Sequence, residues 1–133
     1  MAALTNPYDN YKNTSVMSAS KEELTLMLYE GALKFCNQAI IAMTKGDFMK
    51  ASELVRRVCD IIFEFQLTLD RKYPITKNFD LLYDYIIDRI TLGEVDKDIK
   101  KLEDARDTIR DFRDMWKEAM KIAKQEEKTK TAK

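Results

Sequence analysis

Apolar residues recur at helical spacing in four separate runs along the chain, and these runs predict four helices. The first run follows Ser20, a favourable helix N-cap, and Glu23 three residues later completes a capping box. Its apolar positions are Leu24, Met27, Leu28, Gly31, Ala32, Phe35 and Ala39. Gly46 is expected to end this helix, and the second run then extends from Ala51 to Leu69.

The remaining two runs follow Pro74, which disfavours continued helix. Asn78 can cap the third helix, Gly93 closes it, and Asp96 or a neighbour opens the fourth. The apolar positions of these two runs are Phe79, Leu82, Tyr83, Ile86, Ile87 and Ile90, then Ile99, Leu102, Ala105, Ile109, Phe112, Trp116 and Ala119. Because the connections are short, we expect an all-α, antiparallel four-helix bundle over residues 20–124. An extended N-terminal segment (1–19) and a disordered C-terminal tail (125–133) are expected to flank it.

Two of the predicted helices carry more apolar surface than a bundle core requires. On the third helix the apolar arc covers about 240°, and on the first a second apolar line lies opposite the core stripe. Either neighbouring helices and the N-terminal segment cover this surface, or it is a hydrophobic docking groove for an amphipathic partner segment. The residues that would line such a groove are Leu26, Tyr29, Leu33, Ile40, Leu81, Tyr83, Tyr85 and Ile87.

The N-terminal segment is polar but contains a few apolar anchors, namely Pro7, Tyr8, Tyr11 and Val16. A merely solvating tail would not need such residues. Because the segment leads directly into the first helix, it lies within reach of the second apolar line on that helix, and we expect it to act as a removable cover over the groove. The alternative is that these residues contact a partner.

Charge balance and residue types narrow the range of functions. The 23 Lys and Arg residues offset 23 Asp and Glu residues, so no net field attracts nucleic acid or anionic lipid. Histidine is absent, which removes Ser-His-Asp catalysis and most zinc and di-iron sites. No glycine-rich phosphate loop or calcium loop occurs. We therefore expect no enzyme activity, no cofactor and no metal.

The cysteines and the apolar runs indicate the cellular compartment of the protein. Cys36 and Cys59 lie far apart inside helical runs, which is typical of reduced core residues. The first eight residues lack the pattern of a signal peptide, and no apolar run approaches the roughly 18 residues that span a bilayer. We therefore expect a cytoplasmic protein without membrane insertion or nucleic-acid binding, which is a monomer or weak dimer when unbound.

Several short motifs occur in an order characteristic of one protein family. They are Asn6-Pro7-Tyr8-Asp9-Asn10-Tyr11, Val16-Met17-Ser18-Ala19-Ser20, Glu23-Leu24-Thr25-Leu26-Met27-Leu28-Tyr29-Glu30-Gly31-Ala32, Leu81-Leu82-Tyr83-Asp84-Tyr85 and Asp111-Phe112-Arg113-Asp114-Met115-Trp116-Lys117. With these motifs, spread over residues 6–119, the chain resembles the flagellin export chaperone family, FliS. Two departures affect only helix-start and loop details: Lys21 stands where many relatives have proline, and the loop Arg71–Lys77 lacks the family's glycine-containing pattern.

The resemblance implies a cytoplasmic helical bundle that binds the disordered C-terminal segment of flagellin. It also implies that binding stops premature polymerisation of flagellin and aids delivery to the flagellar type III export apparatus. The cytoplasmic domain of the export gate and a flagellin-associated regulator are further partners to consider. The competing hypothesis is a self-associating helical adaptor, because a self-contact and a partner contact bury the same residue types.

Overall fold

The computed structural model describes residues 20–71, 74 and 76–131, most of which are helical. In chain order the helices are α1 (Lys21–Thr44), α2 (Phe48–Thr68), α3 (Thr76–Asp96) and α4 (Ile99–Thr131). The described residues contain no strand. The predicted all-α class is therefore confirmed.

The four helices form a closed ring in chain order. α1 and α3 each pack against both α2 and α4, and the short connections reverse the chain between successive helices. Between α1 and α4, the Trp116 indole N–H donates to the Glu22 carbonyl at 3.0 Å. Further along, the Cys36 thiol lies 3.5 Å from the Leu102 carbonyl oxygen. The start of α1 therefore lies beside a late part of α4, and a later part of α1 lies beside the start of α4, so the two helices are antiparallel. The predicted antiparallel four-helix bundle is confirmed.

The start of α1 and the turn into α2 follow the predicted signals. The Ser20 hydroxyl accepts a hydrogen bond from the Glu23 backbone N–H at 3.1 Å. Gly46 has a φ of 78°, the left-handed conformation that glycine adopts without a steric penalty. The Asp47 side chain then accepts from the Lys50 backbone N–H at 3.2 Å and caps α2.

The start of α3 differs from the prediction. α3 begins at Thr76, which is buried, so Asn78 lies inside the first turn and does not cap the helix. α4 begins as expected near Asp96, with Asp98 as its cap, because the Asp98 carboxylate accepts from the Lys100 backbone N–H at 3.0 Å.

The prediction that Gly93 ends α3 is wrong, because the helix continues to Asp96. The left-handed position after the helix is occupied by Lys97, with a φ of 55°. Gly93 is buried within the last turns, where an added Cβ would lie 3.0 Å from a methyl carbon of Leu102. This glycine therefore permits the close approach of α3 and α4. From the sequence alone, a glycine with this role cannot be distinguished from one that ends a helix.

The core is built mostly from the apolar stripes that the periodicity predicts, but Leu28 and Ala119, which we place on those stripes, are exposed. Trp116 is partly exposed but packs against this core, as expected. The largest fully buried side chains are Ile62, Ile86, Ile90, Leu102, Ile109, Val58 and Cys36.

The C-terminal residues correct a further prediction. We expected residues 125–133 to be disordered, but α4 continues as helix to Thr131, and the side chains of residues 121–130 are exposed. The segment contains Ala, Lys, Gln and Glu, which favour helix, and it has no Gly or Pro. Helix propensity therefore extends α4 where no core contact requires it.

Candidate functional site

The outward side of α3 is apolar. Leu81, Tyr85 and Leu92 are 68%, 42% and 37% exposed, and their spacing places them along one side of the helix. Leu82 is a further exposed side chain at the edge nearer α4. The unusually wide apolar arc predicted for this helix thus includes a part that no neighbouring helix covers.

α2 continues this apolar surface across the helix boundary. Phe63 and Leu67, one turn apart, are 51% and 80% exposed. The amide nitrogen of Gln66 donates to the Asp84 carboxylate at 2.7 Å, which fixes the register of α2 against α3. Because the helices are antiparallel, Phe63 and Leu67 lie at the level of the first half of α3. We call this surface the α3 face; it consists of Phe63, Leu67, Leu81, Leu82, Tyr85 and Leu92.

Polar side chains border the α3 face and hold its edges in place. Arg71, at the end of α2, donates to the Asp80 carboxylate and to the Gln66 carbonyl. The hydrogen bonds from Arg71 hold the pKa of Asp80 below its usual value. On the other edge the Arg89 guanidinium lies 5.9 Å from the ring centre of Tyr85. The rim therefore links α2 to α3 and orients one exposed aromatic ring.

Two residues predicted to contact a partner are instead part of the core. Tyr29 and Tyr83 are only 6% and 2% exposed, and their hydroxyl oxygens are 2.8 Å apart. Their rings stack in a cluster with Phe65 and Phe112, at centroid distances from 4.3 to 5.8 Å. Each hydroxyl satisfies the other, so both rings can be buried without an unpaired polar group. Burial raises the pKa of both phenols.

The second apolar line on α1 is also covered, because it faces α4. Leu26, Leu33 and Ile40 are half-buried, and the last two pack against the core. The line begins one turn after Glu22, the residue that accepts the hydrogen bond from Trp116. In a closed ring α1 has two neighbours and so needs a wide apolar arc. Of the two alternatives for this line, cover by a neighbouring helix is therefore the one that the structure supports, and Leu26, Leu33 and Ile40 are not part of an open groove.

The remaining candidates divide between core and surface. Ile87 is half-buried and packs against the core, whereas Leu81 and Tyr85 are exposed on the α3 face. The N-terminal residues Pro7, Tyr8, Tyr11 and Val16 lie outside the described residues.

Sequence reasoning missed part of the exposed surface. We did not single out Phe63 and Leu67, and we assigned Leu82 to the core stripe although it is 43% exposed. The available signal was an apolar pair one turn apart on α2, outside the stripe that contains Val58 and Ile62.

The described residues hold little reactive chemistry. Burial is the main cause that raises the pKa of Cys36 to about 12 and that of Cys59 to about 11, so neither thiol is an effective nucleophile near neutral pH. Within residues 20–71, 74 and 76–131, no group of His, Cys, Asp and Glu side chains is arranged to hold a metal ion. No helix in that part of the chain is long and apolar enough to cross a membrane. The α3 face, where exposed apolar residues of two helices lie side by side, is the candidate functional site.

Comparison with known proteins identifies relatives along nearly the whole chain. Residues 4–123 match the model of a family described as "Flagellar protein FliS". A protein of Bacillus subtilis named "Flagellar secretion chaperone FliS" is 36% identical over 118 residues, which are 89% of each chain. Proteins with the same name in Vibrio cholerae and Escherichia coli are 31% and 26% identical, and each alignment spans about four-fifths of both chains.

Proposed function

The chain belongs to the FliS family of flagellar proteins, and we propose that this flagellar secretion chaperone uses its α3 face to bind the C-terminal segment of flagellin in the cytoplasm. The names of its relatives describe a chaperone and not an enzyme. Binding would keep flagellin from polymerising early and would help deliver it to the flagellar type III export apparatus.

The exposed apolar residues of the α3 face are the observation that supports this proposal. Leu81 and Tyr85 on one helix, with Phe63 and Leu67 on the next, suit an amphipathic helix that lays its apolar side across two antiparallel helices. Fully burying a side chain of this type contributes about 1.5–3 kcal/mol, so covering the exposed halves of several contributes enough for specific binding. A docked segment could not simultaneously pack against other flagellin molecules.

The N-terminal segment is proposed to regulate access to this surface. Tyr8, Tyr11 and Val16 precede Ser20 by four to twelve residues, which is a reach of roughly 13–40 Å for extended chain. Ser20 lines a groove with Met120, at the end of the bundle where α3 also begins. Since α4 already covers the apolar line on α1, we propose that the segment covers part of the α3 face instead.

Deletion of residues 1–15 tests the cover. A cover must be displaced before flagellin binds, so its removal should tighten binding modestly or increase aggregation, with an unchanged melting temperature. Weaker flagellin binding with unchanged solubility would mean that these residues contact the partner. The export gate's cytoplasmic domain and a flagellin-associated regulator can be titrated against the same deletion variant as further proposed partners.

The binding proposal itself is tested by calorimetric titration with a synthetic flagellin C-terminal peptide. Ordering of a disordered peptide should give a negative heat-capacity change and increased helical circular dichroism. Phe63→Ala and Leu81→Ala should each weaken binding by about tenfold, because each removes an apolar contact. Ile41→Ala is the matched control, since Ile41 is 53% exposed on α1, away from the α3 face.

The competing function, a self-associating adaptor, predicts a different outcome. Light scattering coupled to size-exclusion chromatography would then show a stable oligomer that the flagellin peptide does not alter. Absence of both heat and helix gain in the titration would overturn the proposed function.

A further inference from the structure

A line of carboxylates runs beside the apolar residues of the α3 face. Asp80, Asp84 and Asp88 follow one another at intervals of four residues, so they lie along one side of α3, next to Leu81 and Tyr85. Like charges at this spacing disfavour the helix. The side of α3 nearer α2 is therefore an acidic edge, two turns long, between the apolar residues of α3 and those of α2.

These three carboxylates are neutralised to different extents. Arg71 donates to Asp80, whereas the hydrogen-bond partner of Asp84 is the neutral amide of Gln66 at 2.7 Å. Asp88 lies 3.5 Å from Arg89, but its side chain is 59% exposed. Arg89 is shared with Asp104 of α4 at 3.9 Å.

The other charges near this edge do not neutralise it. Asp60, on the exposed side of α2, adds a further negative charge. The basic residues Arg56 and Lys77 lie towards opposite ends of the α2–α3 pair, beyond the stretch that contains Asp84 and Asp88. The middle of the α3 face thus combines exposed apolar side chains with excess negative charge, although the whole chain is formally neutral.

From this combination we infer that the α3 face selects an amphipathic helix that carries Lys or Arg beside its apolar stripe. The inference rests on the proposed function for the docking surface, and it adds the chemical class of the segment that docks there. Apolar contact supplies most of the affinity, whereas the acidic edge sets the orientation of the helix and accelerates its association. Because Asp84 and Asp88 are exposed, salt screens their effect beyond about 10 Å at 0.1 M.

Two synthetic peptides of about 18 residues, long enough for five helical turns, test this preference. Both carry the same leucine stripe, but the flanking positions are Lys in one and Glu in the other. Binding of fluorescently labelled peptide is measured by anisotropy, at low and at high salt. The variant Asp84→Asn/Asp88→Asn removes two charges from the edge, and Glu30→Gln/Glu118→Gln removes two exposed charges elsewhere as the matched control.

The native chain should bind the Lys peptide about tenfold more tightly at low salt, mainly through faster association, and high salt should largely remove the difference. Asp84→Asn/Asp88→Asn should lose most of the preference and the control variant should keep it. Equal binding of the two peptides, binding of neither, or a preference that survives in Asp84→Asn/Asp88→Asn would overturn the inference. The flagellin peptide is titrated separately: if it binds while the preference is absent, the proposed function stands and only the inference fails.

Discussion

The paired hydroxyls of Tyr29 and Tyr83 allow a stringent test of how the bundle core is held together. Both rings are buried and the oxygen atoms are 2.8 Å apart. Tyr83→Phe leaves the Tyr29 hydroxyl without this partner in apolar surroundings, which should lower the free energy of unfolding by about 1–3 kcal/mol. Tyr29→Phe should have a similar effect. The double variant removes both polar groups and keeps both rings, so its cost should be below about 1 kcal/mol.

The two substitutions should therefore be strongly non-additive. The sum of the single-variant effects should exceed the effect of the double variant by about 1–3 kcal/mol or more. Urea denaturation followed by circular dichroism measures these differences, and about 1 kcal/mol corresponds to a melting shift of roughly 4 °C for a chain of this size. Tyr85→Phe, at an exposed hydroxyl, is the control and should change stability by less than about 0.5 kcal/mol. Additive effects of the two core substitutions would refute the reasoning.

Three further predictions concern the packing of the bundle. Trp116→Ala should cost about 3 kcal/mol because it removes a packed ring system, and Trp116→Phe about 1 kcal/mol because it removes the hydrogen bond to Glu22 but keeps an aromatic ring, as measured by urea denaturation. Native stability in both variants would show that Trp116 does not hold α4 to α1. Gly93→Ala should lower the free energy of unfolding by about 1–3 kcal/mol, since the added Cβ would lie 3.0 Å from Leu102. A more stable variant would mean that α3 and α4 move apart easily. Burial raises the pKa values of both cysteine thiols and both core tyrosine phenols, so the folded state holds these protons more tightly than the unfolded state. Their contribution to stability should be constant below about pH 9 and should be lost as pH rises above it, with the phenols adding to the loss above about pH 10. A stability that is flat between about pH 8 and 11 in alkaline titrations would contradict this.

The sequence predicts the bundle well because apolar periodicity and end signals act locally. The Ser20 cap and the Gly46 turn depend on a few neighbouring residues and could be assigned without the structure. Gly93 could not, because its role depends on the distance to α4, a long-range property. The lack of apolar residues wrongly predicted disorder at residues 125–131, where helix persists without core contacts.

The candidate site was predicted only in part, because periodicity shows that a residue is apolar but not which neighbour covers it. Leu33 and Tyr83 belong to apolar arcs that the ring of four helices covers. Leu81 and Tyr85 belong to an arc on α3 that extends beyond its two neighbours. The mutual hydrogen bond that permits burial of Tyr83 joins residues 54 positions apart and has no local signature.

The central claim is that the α3 face binds the C-terminal segment of flagellin, and backbone amide NMR with the unlabelled flagellin peptide tests it most directly. At 15.6 kDa the chain suits residue-by-residue mapping of chemical shifts. We predict that titration shifts the amide signals around Phe63, Leu67, Leu81 and Tyr85 and leaves those of the exposed side of α1 around Ile41 unchanged. Binding that perturbs the exposed side of α1 and leaves the α3 face unaffected would contradict the claim.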